Sequence, residues 1–164
     1  MQTLLTPWRF AYISETSFPP EGCFFCAAAA QPEDPQCLVV AVARHHLVML
    51  NRYPYTNGHL MVAPLRHLAD PEDSGAEAVE EFWPLVLKCQ RVLQTAYDPD
   101  GFNMGINLGR AGGAGVPEHF HFHIVPRWQG DTNFMSVVAE TRLLPEEPEQ
   151  IRARLLPLFE EEES

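Results

Sequence analysis

The stretch His119-Phe120-His121-Phe122-His123-Ile124-Val125-Pro126 constrains this chain most, with three histidines at alternate positions and hydrophobes between them. Side chains on an extended strand alternate between its faces. The three imidazoles therefore share one side while Phe120, Phe122 and Ile124 anchor the other, which calls for a sheet packed on one face and chemically active on the other. Imidazole titrates near neutral pH and serves as nucleophile, proton carrier or metal ligand. A row of three points to an enzyme. The plainer alternatives are a metal site on a strand and polar side chains facing solvent.

At 164 residues, 46% hydrophobic and 20% charged, the chain suits one domain, residues 1–164, with a full core. Residues 1–16 lack the basic start and apolar run of a signal peptide, and no stretch approaches the roughly 20 apolar residues that cross a bilayer. A soluble cytoplasmic protein without a membrane partner is expected. Four cysteines, Cys23, Cys26, Cys37 and Cys89, are few for a disulfide scaffold, and Cys23-x-x-Cys26 suits a metal or redox pair in a reducing compartment. Cys37 and Cys89 read as small hydrophobes of strand and helix. The net charge of -11 argues against nucleic acid as a partner, because such binding depends on basic residues facing phosphates. Arg44, His45, His46, Arg52, His59, Arg66, His67, Arg110 and Arg127 nevertheless fall near the expected site, so a small polyphosphate can find a favourable pocket.

Prolines mark residues 1–36 as an irregular N-terminal segment. Residues 38–42 and 47–50 read as a hairpin, 53–58 as a turn and 59–63 as a third strand. Ser74-x-x-Glu77 has the form of a capping box opening a helix to about Tyr97, with Val79, Phe82, Trp83, Val86, Cys89 and Leu93 on its buried stripe. Pro84 should kink or reset that helix. Residues 102–108 form another strand, 109–115 a glycine-rich loop, 118–125 the histidine strand, 146–159 a closing helix with Pro148 in its first turn, and 160–164 an acidic tail. The fold class is α+β with a five-stranded, mostly antiparallel sheet.

The histidine row followed by Val125-Pro126-Arg127-Trp128 resembles the signature of the histidine triad (HIT) family. Leu50-Asn51-Arg52 and Gly58-His59-Leu60-Met61-Val62-Ala63-Pro64 resemble its nucleotide-binding strands, and Asn107-Leu108-Gly109 its phosphate-side asparagine. Trp8-Arg9-x-x-Tyr12, Gly22-Cys23-Phe24-Phe25-Cys26 and Trp128-x-Gly130-Asp131-Thr132-Asn133-Phe134 resemble the diadenosine-polyphosphate branch, which includes fragile-histidine-triad-like hydrolases and phosphorylases. The resemblance covers nearly the whole chain.

That resemblance implies that His121 is the nucleophile forming a nucleotidyl-histidine, that His123 sits beside the α-phosphate, and that the backbone carbonyl of His119 fixes the His121 tautomer. A neutral imidazole attacks phosphorus without bringing another negative charge, and a covalent intermediate splits one hard displacement into two easier ones. Asn51 is implied as the ribose partner, His59 as part of the nucleotide pocket, and Asn107 as a phosphate ligand. Gly113 and Gly115 belong to a loop whose backbone N–H groups can approach a phosphate. Gly115 stands where the family commonly has glutamine, so a side-chain donor is missing there. Leu38, Val40 and Leu50 can wall the purine or serve the core, and Trp8 and Trp128 can pack the substrate's second half or cover a core edge.

Zinc-carrying relatives pair the C-x-x-C with two histidines, which correspond here to His67 and His119. The resemblance thus implies a structural zinc on Cys23, Cys26, His67 and His119, with no position left for substrate. It also implies a homodimer whose two sheets join edge to edge, which covers an open strand edge. The leading expectation is a nucleotide hydrolase acting on diadenosine polyphosphates such as diadenosine tetraphosphate. The alternatives are phosphorolysis by inorganic phosphate, hydrolysis of an adenylyl phosphoramidate, and a non-enzymatic nucleotide sensor.

Overall fold

The computed structural model describes residues 22–131 and 146–161. Trp8, Arg9, Tyr12, Thr132, Asn133 and Phe134, and the end of the acidic tail, lie outside the described residues. Five strands, β1 (Val39–Val42), β2 (His46–Leu50), β3 (Leu60–Pro64), β4 (Gly101–Ile106) and β5 (Phe122–Arg127), form one sheet in the order β1-β2-β3-β5-β4. Every neighbouring pair is antiparallel. Among the described residues, three α-helices accompany them: α1 (Phe24–Ala30), α2 (Ala76–Tyr97) and α3 (Pro148–Glu161). None of the described helices is long and apolar enough to cross a membrane.

Both faces of the sheet are covered, which explains why β2 and β3 are buried along their whole length. On one face Val40, Val48, Leu50, Leu60, Val62 and Ile124 pack against Val86, Cys89 and Leu93 of α2 and Ile151, Leu155 and Phe159 of α3. On the other, Val39, Leu47, Met49, Met61 and Ala63 pack against Phe25 and Ala28 of α1. Leu38, Val40 and Leu50 thus belong to the helix-covered core. Burial pushes the Cys89 thiol up to about 12, so it behaves as an inert core group.

Several expectations need correction. The segment read as irregular contains α1, whose alanine run, the best helix-forming residue, supplies the propensity and whose Phe25 and Ala28 supply the buried stripe. Cys37 closes a 3-10 turn, Pro35–Cys37, instead of lying in a strand. Ser74 does not cap α2: it ends a second 3-10 turn, Pro71–Ser74, and the N-cap is Gly75, at φ 81°, with no side-chain cap bond. The chain must pass through a positive φ to leave one helix and enter the next, which glycine does at least cost. α2 continues through Pro84 without ending. Val79 and Trp83 are exposed, together with Leu87. At about 100° per residue, Val79 and Trp83 fall on the flank of the stripe centred on Cys89, and Leu87 lies nearly opposite it.

The basic residues do not converge on one pocket. Arg44 and His45 approach Glu77 of α2, Arg110 pairs with Glu118, and Arg127 pairs with Asp131. His46 is buried, with Nδ1 2.8 Å from Glu81 Oε1, and His45 N–H donates to the same oxygen at 2.9 Å. Burial by itself raises the Glu81 carboxyl, but the bonds from His46 and His45 outweigh it and hold the group below its ordinary value.

Candidate active site

The histidine strand starts later than its alternation suggests. Only His123 lies within β5; His119 and His121 precede it, in a segment tied down by Phe120 N–H donating to Leu68 O at 2.7 Å. The pairing of His123 with Met61 and Gly105 aims its side chain at the α1 face of the sheet. All three rings gather there. The His121 and His123 rings lie 4.8 Å apart and nearly perpendicular, and the Phe25 ring stands 5.0 Å from His119 and 4.8 Å from His121.

The backbone settles which nitrogen of His121 carries the proton. Its Nδ1 is 3.1 Å from the His119 carbonyl oxygen, and a carbonyl can only accept. Nδ1 therefore donates, and the lone pair is on Nε2. Burial lowers the His121 pKa below its ordinary value, against the opposing pull of that carbonyl, and burial likewise lowers that of His119. The outcome is a neutral imidazole with a fixed tautomer.

A second fixed tautomer stands beside it. His59 is fully buried, and its Nδ1 accepts from Tyr55 N–H at 3.1 Å. In a neutral ring the proton then lies on Nε2, which is 3.0 Å from His123 Nδ1. His123 accepts there, leaving its own proton on Nε2. His59 thus stands behind His123 and orients it. The turn that delivers it depends on Gly58, at φ +74°, where an added Cβ would meet Leu93 Cδ2 at 3.0 Å and Tyr97 Cε2 at 3.3 Å.

The remaining expected residues occupy the surrounding loops. Asn51 follows β2, and its Oδ1 accepts from Tyr53 N–H at 2.9 Å, closing an Asx turn. Asn107 follows Ile106, which pairs with Phe122, so it lies at the level of His121 on the adjacent strand. The glycine-rich loop uses two of its own amides: Gly113 N–H donates to Arg110 O at 3.0 Å and Ala114 N–H to Gly109 O at 3.2 Å. Gly112 is indispensable to that fold, since a Cβ there would lie 2.2 Å from Leu108 O. Gly115 follows in a bend. Trp128 packs edge-on to Tyr97 of α2 at 6.5 Å, the core-edge alternative.

The other constellation is metal-like. The ligand atoms of Cys23, Cys26, His67 and His119 all lie within 4.8 Å of one another. Cys23 Sγ is 3.2 Å from His119 Nδ1, Cys26 Sγ is 3.3 Å from His67 Nδ1, and Cys26 Sγ is 3.6 Å from His119 Nδ1. His119 Nε2 is 2.9 Å from the Pro64 carbonyl, so Nε2–H donates there and the Nδ1 lone pair faces the cysteines. A ligating histidine typically makes such a bond through its other ring nitrogen, which fixes the ring's orientation. The four sequence-expected ligands are thus brought together.

Sequence reasoning passed over Phe25, Tyr55 and the Pro64 carbonyl. Phe25 carried a signal, a large hydrophobe between the two cysteines of the C-x-x-C pair. The other two contribute main-chain groups, which side-chain identity does not reveal.

Comparison with known proteins agrees with this geometry. The HIT domain matches residues 33–130. An AP-4-A phosphorylase of Mycobacterium tuberculosis is 37% identical over 153 residues, covering 89% of this chain and 78% of the relative. Protein hit of Bacillus subtilis is 30% identical over 117 residues, 71% of this chain and 79% of the relative. A crystal structure of a Zn-bound histidine triad family protein from Mycobacterium smegmatis superposes with a TM-score of 0.68 at 26% identity, covering 87% of this chain and 96% of that one.

Proposed function

Because the chain belongs to the HIT domain family, we propose that it cleaves diadenosine polyphosphates, such as diadenosine tetraphosphate, by transferring a nucleotidyl group to His121. The observation that carries this reading is the His121 Nδ1 to His119 carbonyl bond of 3.1 Å, which presents the Nε2 lone pair of an uncharged ring. In the first step Nε2 forms a bond to the α-phosphorus as the bond to the leaving nucleotide's oxygen breaks. The Nε2–H of His123 is the donor available to the phosphoryl oxygens, and its orientation follows from His59 and Tyr55. His119 serves through its carbonyl. Asn51 and Asn107 are assigned to ribose and phosphate, and Gly113 and Gly115 to the phosphate-side loop. In the second step water takes the nucleotidyl group and His121 is released.

A second reading, phosphorolysis, is favoured by the 37% identity to an AP-4-A phosphorylase. Incubation with diadenosine tetraphosphate, with and without inorganic phosphate, decides between them. AMP with ATP, independent of phosphate, is hydrolysis; ADP that appears only with phosphate is phosphorolysis. In either case His121→Ala abolishes turnover. Release of AMP only from adenylyl-lysine replaces the substrate, and nucleotide binding without turnover makes the chain a sensor.

Zinc is the ion the donor set supports. Bond lengths of about 2.3 Å to sulfur and 2.05 Å to nitrogen put tetrahedral neighbours about 3.5 Å apart, against the 3.2–3.6 Å found here. With four protein ligands, Cys23, Cys26, His67 and His119, zinc supplies structural cross-linking. A homodimer is supported by the β4 edge, which no described strand covers, and by the exposed row Val79, Trp83 and Leu87. The chain reads as one domain in the cytoplasm, where reduced thiols persist.

A further inference from the structure

Phe25 has no part in the chemistry above, yet its ring lies against both His119 of the metal-like cluster and the nucleophile. It is fully buried between Cys23 and Cys26 in sequence, its ring tilted 37° against His121 and 43° against His119. Among the described residues, the His121 ring has one hydrogen bond, to the carbonyl two residues back. That bond fixes the proton but leaves the ring able to swing about it. Phe25 closes one side and the perpendicular ring of His123 stands on another.

Two things hold Phe25 itself. Its ring is embedded among Val39, Leu47, Met49, Met61 and Ala63. Its backbone belongs to a helix of only seven residues, α1, whose N-cap Cys23 makes no side-chain cap bond. A helix this short is not stable alone. What pins it is Cys23 at its start and Cys26 in its first turn, both directed at His67 and His119.

We propose that Phe25 is a positioning residue for His121, and that the Cys23/Cys26/His67/His119 cluster is the clamp that sets Phe25 against it. The metal therefore influences the reaction through an aromatic ring, without touching substrate. This rests on the nucleophile assignment for His121.

Phe25→Leu keeps the site apolar and of similar volume while removing the flat ring. Misplacing a reacting atom by about 1 Å costs about 100-fold in rate, so kcat should fall about 10- to 100-fold with KM changed less than about threefold. Long-range proton–nitrogen spectra of the imidazole rings give a readout independent of turnover. His121 signals should shift or broaden in Phe25→Leu, and also in wild type stripped of metal and restored by zinc alone. His46, on the opposite face of the sheet and bonded to Glu81, is the internal reference. Unmoved His121 signals and an unchanged kcat in Phe25→Leu overturn the positioning role. Unmoved His121 signals in metal-free protein overturn the clamp. Turnover by His121→Ala overturns the nucleotidyl reading, while the spectra still judge Phe25.

Discussion

Replacing Glu81 with glutamine isolates the charge in the contact that ties β2 to α2. In the native chain one oxygen, Oε1, accepts both from His46 Nδ1–H at 2.8 Å and from His45 N–H at 2.9 Å. A glutamine carbonyl can keep both bonds, so the loss is the difference between bonds to a charged and to a neutral acceptor, about 1 kcal/mol each. Restored desolvation of the carboxylate and partial solvent screening, with 20% of the side chain exposed, reduce the sum to about 1–1.5 kcal/mol at neutral pH. For a domain of this size that is roughly 2–6 °C in Tm. The pH dependence gives the sharper test. Glu81 lies below its ordinary 4.5 in the folded state, so it ionises more readily folded than unfolded. Its contribution is complete above the unfolded value and drains as pH falls through the folded one. Thermal melts of both proteins from pH 7 to pH 3 should converge in the acid range. A gap that is constant across that range, or absent at pH 7, refutes the reasoning.

Other expectations follow from the same geometry. His59→Phe leaves Tyr55 N–H and His123 Nδ1 without those bonds, and kcat/KM should fall about 30-fold, or about 2 kcal/mol; steady-state kinetics well below the Tm of the variant check it. Cys26→Ser should lose bound metal, measured with a colorimetric chelator. At metal concentrations about 1,000-fold above Kd the lost stabilisation is about 4 kcal/mol, roughly 8–16 °C in Tm. Gly58→Ala must place a Cβ 3.0 Å from Leu93 Cδ2 at positive φ, costing about 1–3 kcal/mol by chemical denaturation. Trp83→Lys with Val79→Lys should leave the melt intact but shift sedimentation from dimer to monomer if this flank is the dimer face.

The strands and the chemistry were legible because they depend on side-chain pattern. Alternation of His119, His121 and His123 against Phe120, Phe122 and Ile124 describes a two-faced extended segment wherever the regular strand begins, and the spacing of Cys23 and Cys26 suggests a metal pair, whereas His67 and His119 are reached only through the resemblance to zinc-carrying relatives. What pattern could not supply was the path of the backbone. The positive φ of Gly75, 81°, decides that Ser74 belongs to the preceding turn. Alanines in α1 were passed over because neighbouring prolines dominated the reading. Val79 and Trp83 were assigned inward because hydrophobicity alone does not distinguish a core stripe from an exposed flank. Leu38, Val40 and Leu50 could not be assigned to a face until the register between β1 and β2 was known.

Peptide groups start the protonation pattern of His121 and His123: the carbonyl of residue 119 acts directly on one, and the amide of residue 55 acts on the other through the His59 side chain. Every amino acid brings that carbonyl, and every one but proline brings that amide. Drift at either position can therefore abolish a metal ligand or an aromatic contact while the arrangement of protons persists. The setting of His121 is thus sheltered from ordinary substitution at position 119, while that of His123 is lost with the imidazole at position 59 or with an imino acid at position 55.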